Sequence, residues 1–230
     1  MLYNFMDTPR DLYKRMRLNI ALNEELGVRI WSFPMRYQPV TLKDRSHVGK
    51  NWNRYYLRSF QIMLQATHGV VSGNPSFFVR AYGEDEEGFE RLLSFPHAFI
   101  FHRDHFENGG GRAELDEYLS LRQRLSESQN RELIHHLSGP AQAAGLRREH
   151  YRMLLHDRSV DVLIREALQF HLLDTKDRPD DRNRKALALF PDSGTGFAMP
   201  KEDEVVEDAG LFDHEYSLRR DGKGSSNLTN

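Results

Sequence analysis

The stretch from Met1 to Tyr37 contains a strand–helix–strand pattern that restricts the folds open to this chain. Residues 2–6 form a short β-prone run, and residues 7–9, Asp-Thr-Pro, are typical of a helix start. Gly27 is typical of a helix end. The aromatic and β-branched run at residues 29–33 predicts a second strand, ended by Pro34. Two strands joined by one helix form a βαβ unit, whose strands are parallel.

Such a unit is not a complete fold. Parallel sheets occur almost only as several strands that are covered on both faces, and two strands alone are too few to be stable. Further along the chain, only residues 98–101 are typical of another short strand. The sequence therefore predicts an α/β unit, the end of a larger sheet whose other strands lie on another polypeptide or in a longer protein.

The rest of the sequence predicts a mainly helical region and a polar tail. Spacing of apolar residues indicates helices at about 53–67, 76–82, 85–95, 113–137 and 147–173, the last with a break near 157–159. Beyond residue 173 the apolar pattern ends, so folding would not repay the lost chain entropy. The predicted domains are residues 1–40 (the βαβ unit), 41–173 (a helical domain) and 174–230 (a disordered polar tail).

Composition narrows the function classes. Apolar residues make up 39% of the 230 residues and the net charge is −2, so no overall field attracts nucleic acid or an anionic membrane. The sequence has no cysteine, which excludes disulfides, thiolate metal ligands and a cysteine nucleophile. We see no signal peptide and no apolar run of membrane-spanning length. These features predict a cytoplasmic protein without a membrane partner.

Polar and cationic side chains follow the second predicted strand. They are Met35, Arg36, Tyr37, Arg45 and His47. In α/β folds, ligands bind at the carboxyl ends of the parallel strands. We therefore expect these five residues to face a substrate, although the sequence identifies no reaction by itself.

Residues 43–58 are the basis of an alternative function. Basic side chains are mixed here with three aromatic ones: Lys43, Arg45, His47, Lys50, Arg54 and Arg58 with Trp52, Tyr55 and Tyr56. Cations between aromatic rings can hold phosphates while the rings stack on bases. The alternative is thus a mainly helical module for nucleic-acid binding or assembly. An amphipathic helix with its aromatic side chains in the core explains the same pattern.

Two histidine pairs are weak metal-site candidates. His102 and His105 lie three residues apart and could share one helical turn, but no third or fourth ligand has recognisable spacing. The adjacent His135 and His136 diverge by about 100° on a helix. Ordinary surface or half-buried histidines are the simpler interpretation, and no metal ligand is assigned.

The N-terminal segment resembles a known family. Residues 2–13, Leu-Tyr-Asn-Phe-Met-Asp-Thr-Pro-Arg-Asp-Leu-Tyr, and residues 27–37, Gly-Val-Arg-Ile-Trp-Ser-Phe-Pro-Met-Arg-Tyr, are similar to the last strands of the partial (β/α) barrel of radical S-adenosylmethionine (radical SAM) enzymes. The resemblance implies that Asn4, Phe5 and Met6 lie beside the adenosyl group of the cofactor. It also implies that residues 34–37 face the substrate cavity.

The same resemblance implies two cofactors, S-adenosylmethionine and a [4Fe–4S] cluster. The family holds the cluster through three cysteines in a Cys-x-x-x-Cys-x-x-Cys loop, which this chain lacks. The isolated chain is therefore expected to be inactive. Both the missing strands and the missing cysteines are explained if the chain is the C-terminal portion of such an enzyme and its partner is the N-terminal barrel portion.

Overall fold

The computed structural model describes residues 1–43, 46–71, 73–139, 144–173 and 175, all within one compact unit, Met1–Asp192. This part of the chain is mainly helical and contains a two-stranded parallel sheet. The elements are β1 (Leu2–Tyr3), α1 (Pro9–Leu26), β2 (Met35–Arg36), α2 (Arg54–Ala66), α3 (Pro75–Tyr82), α4 (Glu86–Leu93), α5 (His97–Phe101), α6 (Arg103–Asn108), α7 (Arg112–Arg124), α8 (Glu127–Leu137), α9 (Ala144–His156) and α10 (Val162–Phe170).

The predicted βαβ unit is confirmed. β1 and β2 are parallel, with Leu2 opposite Met35 and Tyr3 opposite Arg36. The connecting helix α1 begins with a capping box, in which the Thr8 hydroxyl accepts from the backbone of Asp11 while the Asp11 carboxylate accepts from the backbone of Thr8. It ends at Gly27, whose φ of 62° is the left-handed conformation that glycine adopts easily.

The predicted position of the second strand, residues 29–33, is wrong. The strand follows Pro34 instead of preceding it: the backbone N–H of Met35 donates to the carbonyl of Met1 at 2.7 Å, and that of Tyr37 donates to Tyr3 at 2.8 Å. Pro34 lies just before the first donor, a position at which its missing N–H costs no ladder bond. The hydrogen-bond ladder between β1 and β2 therefore begins next to Pro34 rather than ending there.

Side chains of α1 hold the segment that was expected to be a strand. Asn23 both donates to the carbonyl of Ile30 and accepts from its N–H, while Asn19 donates to the same carbonyl at 3.0 Å. Two residues later, Ser32 forms an isolated antiparallel bridge with Val71. Trp31 remains 39% exposed, so this run does not form the buried strand that its aromatic residues indicate.

The helical region follows the prediction with two corrections. Residues 98–101 belong to helix α5, not to a strand, and Ala98 and Phe99 of this helix pack against α6 and α7. A short apolar run in a sequence does not distinguish a buried helix from a buried strand. The long helix predicted at 113–137 is two helices, α7 and α8, separated at Leu125 and Ser126. The break predicted near 157–159 is confirmed between α9 and α10.

One face of the small sheet belongs to the core and the other does not. The ring of Tyr3, 2% exposed, lies 4.9 Å from that of Phe60 and 5.5 Å from that of Trp52. The residues of the opposite face are Leu2, 54% exposed, and Met35, 58% exposed. Helices α7 to α10, together with Tyr55 of α2, build a second apolar cluster that includes the fully buried Leu133.

The boundary at residue 40, between the βαβ unit and the predicted helical domain, stays a prediction. The predicted polar tail, residues 174–230, lies outside the described residues except for Thr175.

Candidate functional site at the carboxyl ends of the strands

The parallel arrangement brings the chain segments that follow β1 and β2 to the same edge of the sheet. Asn4, Phe5 and Met6 continue from β1, and Tyr37 follows β2. The segment from His47 to Gly49 lies across both, since it bonds to Asn4, which follows β1, and to Arg36, the last residue of β2. The carboxyl edge is thus built from three stretches that are distant in sequence.

Asn4 connects these three stretches. Its side chain is fully buried; the amide nitrogen donates to the carbonyls of Tyr37 and His47, each at 3.2 Å, and the amide oxygen accepts from the N–H of Gly49 at 2.7 Å. The backbone of Asn4 has a φ of 69°, a conformation that asparagine tolerates better than most residues. An asparagine therefore meets both the conformational and the hydrogen-bonding demands of this position.

Gly49 allows the segment from His47 to Gly49, called the crossing segment below, to approach the end of β1. A Cβ atom at this position would lie 2.6 Å from the carbonyl oxygen of Phe5 and 2.8 Å from that of Asn4. Both are backbone atoms, which cannot move without disturbing the strand end. Only glycine, which has no Cβ atom, leaves enough space for this close approach.

Aromatic and cationic groups surround this junction. The Arg36 guanidinium donates to the His47 carbonyl at 2.6 Å, which ties β2 directly to the crossing segment. The Tyr37 ring lies 4.7 Å from the Phe5 ring and 5.4 Å from the His47 imidazole. The side chains of Phe5 and Met6 remain largely exposed, at 52% and 75%.

Several buried polar atoms at this edge have no hydrogen-bond partner within the described part of the chain. They are both amide atoms of Gln38, Nε2 of His47 and Nε1 of Trp52. A buried polar group without a partner costs about 1–3 kcal/mol. Such atoms are not confined to this edge, since Asn130 and Arg165 also carry one each.

The structure brings together most of the residues that the sequence singled out. Asn4, Phe5, Met6, Arg36, Tyr37 and His47 meet at the carboxyl edge. Met35 lies one step earlier, inside β2 and beside Leu2, and Arg45 lies outside the described residues. Their cofactor-binding and substrate-facing roles stay predictions.

The residues of this chain suit the two implied cofactors to different degrees. A [4Fe–4S] cluster of this kind needs three thiolates and the sequence has no cysteine, so this chain's residues do not fit the cluster. For the adenosyl group, the Asn4 side chain is used by the chain itself and the Met6 carbonyl accepts from Asn51 at 2.8 Å. The exposed side chains of Phe5 and Met6 are what this edge offers to such a ligand.

The histidine pairs are not part of a larger ligand set within the described residues, where no group of three or more potential metal ligands occurs. Nε2 of His102, a buried residue, lies 3.1 Å from the Thr175 carbonyl oxygen.

A buried polar network was missed by the sequence analysis. Nδ1 of His171 lies 2.8 Å from the hydroxyl of Tyr55, and its Nε2 lies 3.3 Å from that of Tyr118. Tyr55 donates its single hydroxyl hydrogen to the Phe95 carbonyl at 2.6 Å. His171 must therefore donate from Nδ1 to the Tyr55 hydroxyl, while the Tyr118 hydroxyl has two acceptors within reach, Nε2 of His171 and the Ser94 carbonyl, each at 3.3 Å.

Burial governs the ionisation of this network. Desolvation lowers the pKa of His171 well below its usual value, and the nearby cation Arg122 adds to the effect. Desolvation also raises the pKa of Tyr55 well above its usual value. The partners are far apart in sequence, so no local motif could have revealed them.

The aromatic residues of the 43–58 segment lie mostly in the core. Trp52 is 6% exposed and Tyr55 is 2% exposed, while Tyr56 is partly buried against the helical cluster. Stacking on bases needs exposed rings. The contacts of Trp52 and Tyr55 therefore fit the amphipathic-helix interpretation and do not support the nucleic-acid alternative.

Comparison of the chain with protein-family models, curated proteins and solved structures finds no match. Among the described helices, none combines the length and the apolar character needed to cross a bilayer.

Proposed function

We propose that this chain supplies two neighbouring strands, part of the substrate cavity wall and a helical domain to a partial (β/α) barrel of the radical SAM type. The cluster-binding strands are contributed by another stretch of polypeptide. The observation that carries the proposal is the parallel pair β1–β2, which is packed on one face only.

A parallel pair needs cover on both faces. Tyr3 occupies the packed face, whereas Leu2 and Met35 are more than half exposed on the other. In a barrel, side chains of this type fill the interior together with those of the remaining strands. Additional strands and their side chains would bury both residues.

The carboxyl edge supports the same proposal. Ligands of (β/α) barrels bind at the carboxyl ends of the strands, where Arg36, Tyr37 and His47 are gathered in this chain. The unpaired atoms of Gln38, His47 and Trp52 are polar groups that a substrate or the missing strands would satisfy. Asn4 and Gly49 hold this edge in shape, which makes them positioning residues.

The chain's own part in the reaction is to bind and orient. The cluster would be held entirely by cysteines of the other polypeptide segment, because this chain has none. In this proposal the exposed side chains of Phe5 and Met6 contact the adenosyl group, and Arg36 offers a cation for an anionic substrate group. Arg45, also expected to face the substrate, lies outside the described residues.

The experiment is co-expression with the segment encoded immediately upstream of the Met1 codon. We expect that segment to contain the three-cysteine loop and to co-purify with this chain as an iron- and sulfide-containing complex that binds S-adenosylmethionine. The double substitution Leu2→Glu/Met35→Glu should abolish co-purification. The matched control Leu18→Glu/Met153→Glu, at exposed helical positions, should retain it.

The proposal fails if the upstream coding sequence lacks the three cysteines. It also fails if the two double variants co-purify with that segment equally well, because the exposed sheet face would then have no part in the assembly.

A further inference from the structure

The segment between α1 and β2, residues 28–33, places apolar side chains on the surface of the molecule. Val28 is 44% exposed, Trp31 is 39% exposed and Phe33 is 57% exposed. Within the described part of the chain, exposed large apolar side chains are concentrated in residues 2–42; those found elsewhere are Val79, Met153 and Val162. A concentration of exposed apolar surface indicates contact with another molecule.

The backbone of this segment is held along one edge by the rest of the chain. Ile30 bonds through both its N–H and its carbonyl to asparagine side chains of α1. Ser32 bonds through its N–H and its carbonyl to Val71, at 3.3 Å and 2.8 Å. In an extended chain, every second residue points its backbone groups to the same edge. The backbone groups of residues 31 and 33 therefore point to the opposite edge.

Met1 occupies one pairing position on that opposite edge. Its amino group donates to the Phe33 carbonyl at 3.2 Å, and its carbonyl accepts from the Met35 N–H at 2.7 Å. This is the pattern of a parallel ladder, which β1 and β2 continue. The next position along the same edge consists of the Trp31 carbonyl and the Phe33 N–H, and neither group bonds to a described residue.

This open position selects a peptide over other apolar partners. A single residue of an extended chain satisfies such an acceptor and donor together, because its own N–H and carbonyl point in one direction. Lipid tails would cover the apolar side chains but would leave both backbone groups without a partner. Main-chain pairing combined with apolar side-chain contacts is how proteins bind an added strand.

We propose that residues 28–33 bind an extended, apolar peptide segment that lies in line with β1 and continues its parallel pairing. One residue of that segment donates its N–H to the Trp31 carbonyl and accepts from the Phe33 N–H, and its neighbours cover the exposed Trp31 and Phe33 side chains. This surface lies at the amino ends of the strands, away from the candidate site at their carboxyl ends. It does not depend on the radical SAM proposal, because its pairing groups accept an extended segment of any protein.

The test uses the full chain extended before Met1 by a β-prone probe, Thr-Val-Val-Thr, or by the flexible control Gly-Ser-Gly-Ser. The probe places a valine two residues before Met1, in register with the open position. Hydrogen exchange of the Phe33 amide, followed by NMR, should be slower by roughly tenfold or more with the probe than with the control, because this N–H gains an acceptor. The midpoint of thermal denaturation should be higher by about 2–4 °C.

A third extension, Thr-Val-Pro-Thr, keeps the apolar character but removes the N–H that would donate to the Trp31 carbonyl. It should therefore lose most of the thermal stabilisation. Trp31 is one of two tryptophans in the chain, so fluorescence gives a second reporter. Its emission should shift to shorter wavelength with Thr-Val-Val-Thr, and Trp31→Phe, which leaves the buried Trp52 unchanged, should remove the shift.

Equal exchange of the Phe33 amide with the Thr-Val-Val-Thr and Gly-Ser-Gly-Ser extensions would overturn the proposal. Protection of this amide in the unextended chain that rises with protein concentration would also overturn it, since a second copy of the chain would then occupy the edge. Protection by the probe supports the inference even where co-purification with the upstream segment fails, so the two proposals are tested separately.

Discussion

At the scale of single residues, the carboxyl edge depends on two positions where no other residue type fits well. Asn4 combines a left-handed backbone with three hydrogen bonds, and Gly49 passes within contact distance of the strand backbone. Neither position resembles a motif in the sequence. Their importance comes from the approach of segments that are more than forty residues apart.

Replacement of Gly49 by alanine tests the close approach. The added Cβ would lie 2.6 Å from the Phe5 carbonyl oxygen, so the crossing segment must move and weaken its bond to Asn4. We expect Gly49→Ala to lower the free energy of unfolding by about 1–3 kcal/mol in urea denaturation. At Gly110, the nearest atom to an added Cβ is 3.5 Å away, in ordinary contact, so Gly110→Ala should have little effect. Equal stability of the two variants would contradict this account.

His171 makes stability depend on pH. Its pKa is low in the folded protein and about 6.5 in the unfolded chain, so below pH 6.5 the unfolded chain takes up a proton that the folded protein does not. This contribution is constant above pH 6.5 and turns unfavourable as the pH falls. We expect a loss of about 1.4 kcal/mol between pH 7.5 and pH 5.5 from this residue.

The measurement is urea denaturation at pH 7.5, 6.5 and 5.5 for the wild type and for His171→Gln. The difference in stability between the two should shrink by about that amount across the range, because the variant has no imidazole to titrate at this position. His135→Gln, at an exposed position, should keep the wild-type pH dependence. If His171→Gln also retains it, the neutral buried imidazole is not its origin.

At the scale of elements, local signals determined what the sequence could predict. Thr8 and Gly27 act within one helical turn, and the helix between them, α1, has the bounds that they indicate. The position of the second strand was predicted wrongly because it depends on contacts between elements. These are the pairing with β1 and the hydrogen bonds from Asn19 and Asn23 to the Ile30 carbonyl. The candidate site residues were nevertheless found, since parallel strands bring their carboxyl ends together wherever each strand starts.

The break between α7 and α8 belongs to the same scale. The Ser126 hydroxyl accepts from the backbone of Gln129, and the Gln129 side chain accepts from the backbone of Ser126. This capping box begins a new helix inside a stretch whose apolar spacing is continuous. It is a local signal that was available in the sequence.

Removal of the Ser126 cap should destabilise the helical cluster. Ser126→Ala leaves the Gln129 N–H without its partner, and we expect a loss of about 1 kcal/mol in the free energy of unfolding. Ser120→Ala, on the exposed side of α7, should change stability by less than about 0.5 kcal/mol. Thermal and urea denaturation measure both. A loss at Ser120 equal to that at Ser126 would show that the cap has no special role.

At the scale of the whole molecule, the two faces of the sheet differ in a way that has consequences for the isolated chain. The Tyr3 face is packed against α2, while Leu2 and Met35 leave an apolar face open. Exposed apolar surface favours association between chains. The isolated chain should therefore self-associate through the surface that the proposed barrel would cover.

Sedimentation velocity over a range of concentrations tests this expectation. The sedimentation coefficient of the wild type should rise with concentration, whereas Leu2→Glu/Met35→Glu should remain close to monomeric, because charges on this face oppose its burial. The control Leu18→Glu/Met153→Glu adds the same charge at equally exposed helical positions and should behave as the wild type does. A monomeric wild type, or equal loss of association in both double variants, would mean that the open sheet face does not drive contact between chains, and the main structural support for a missing barrel partner would be lost.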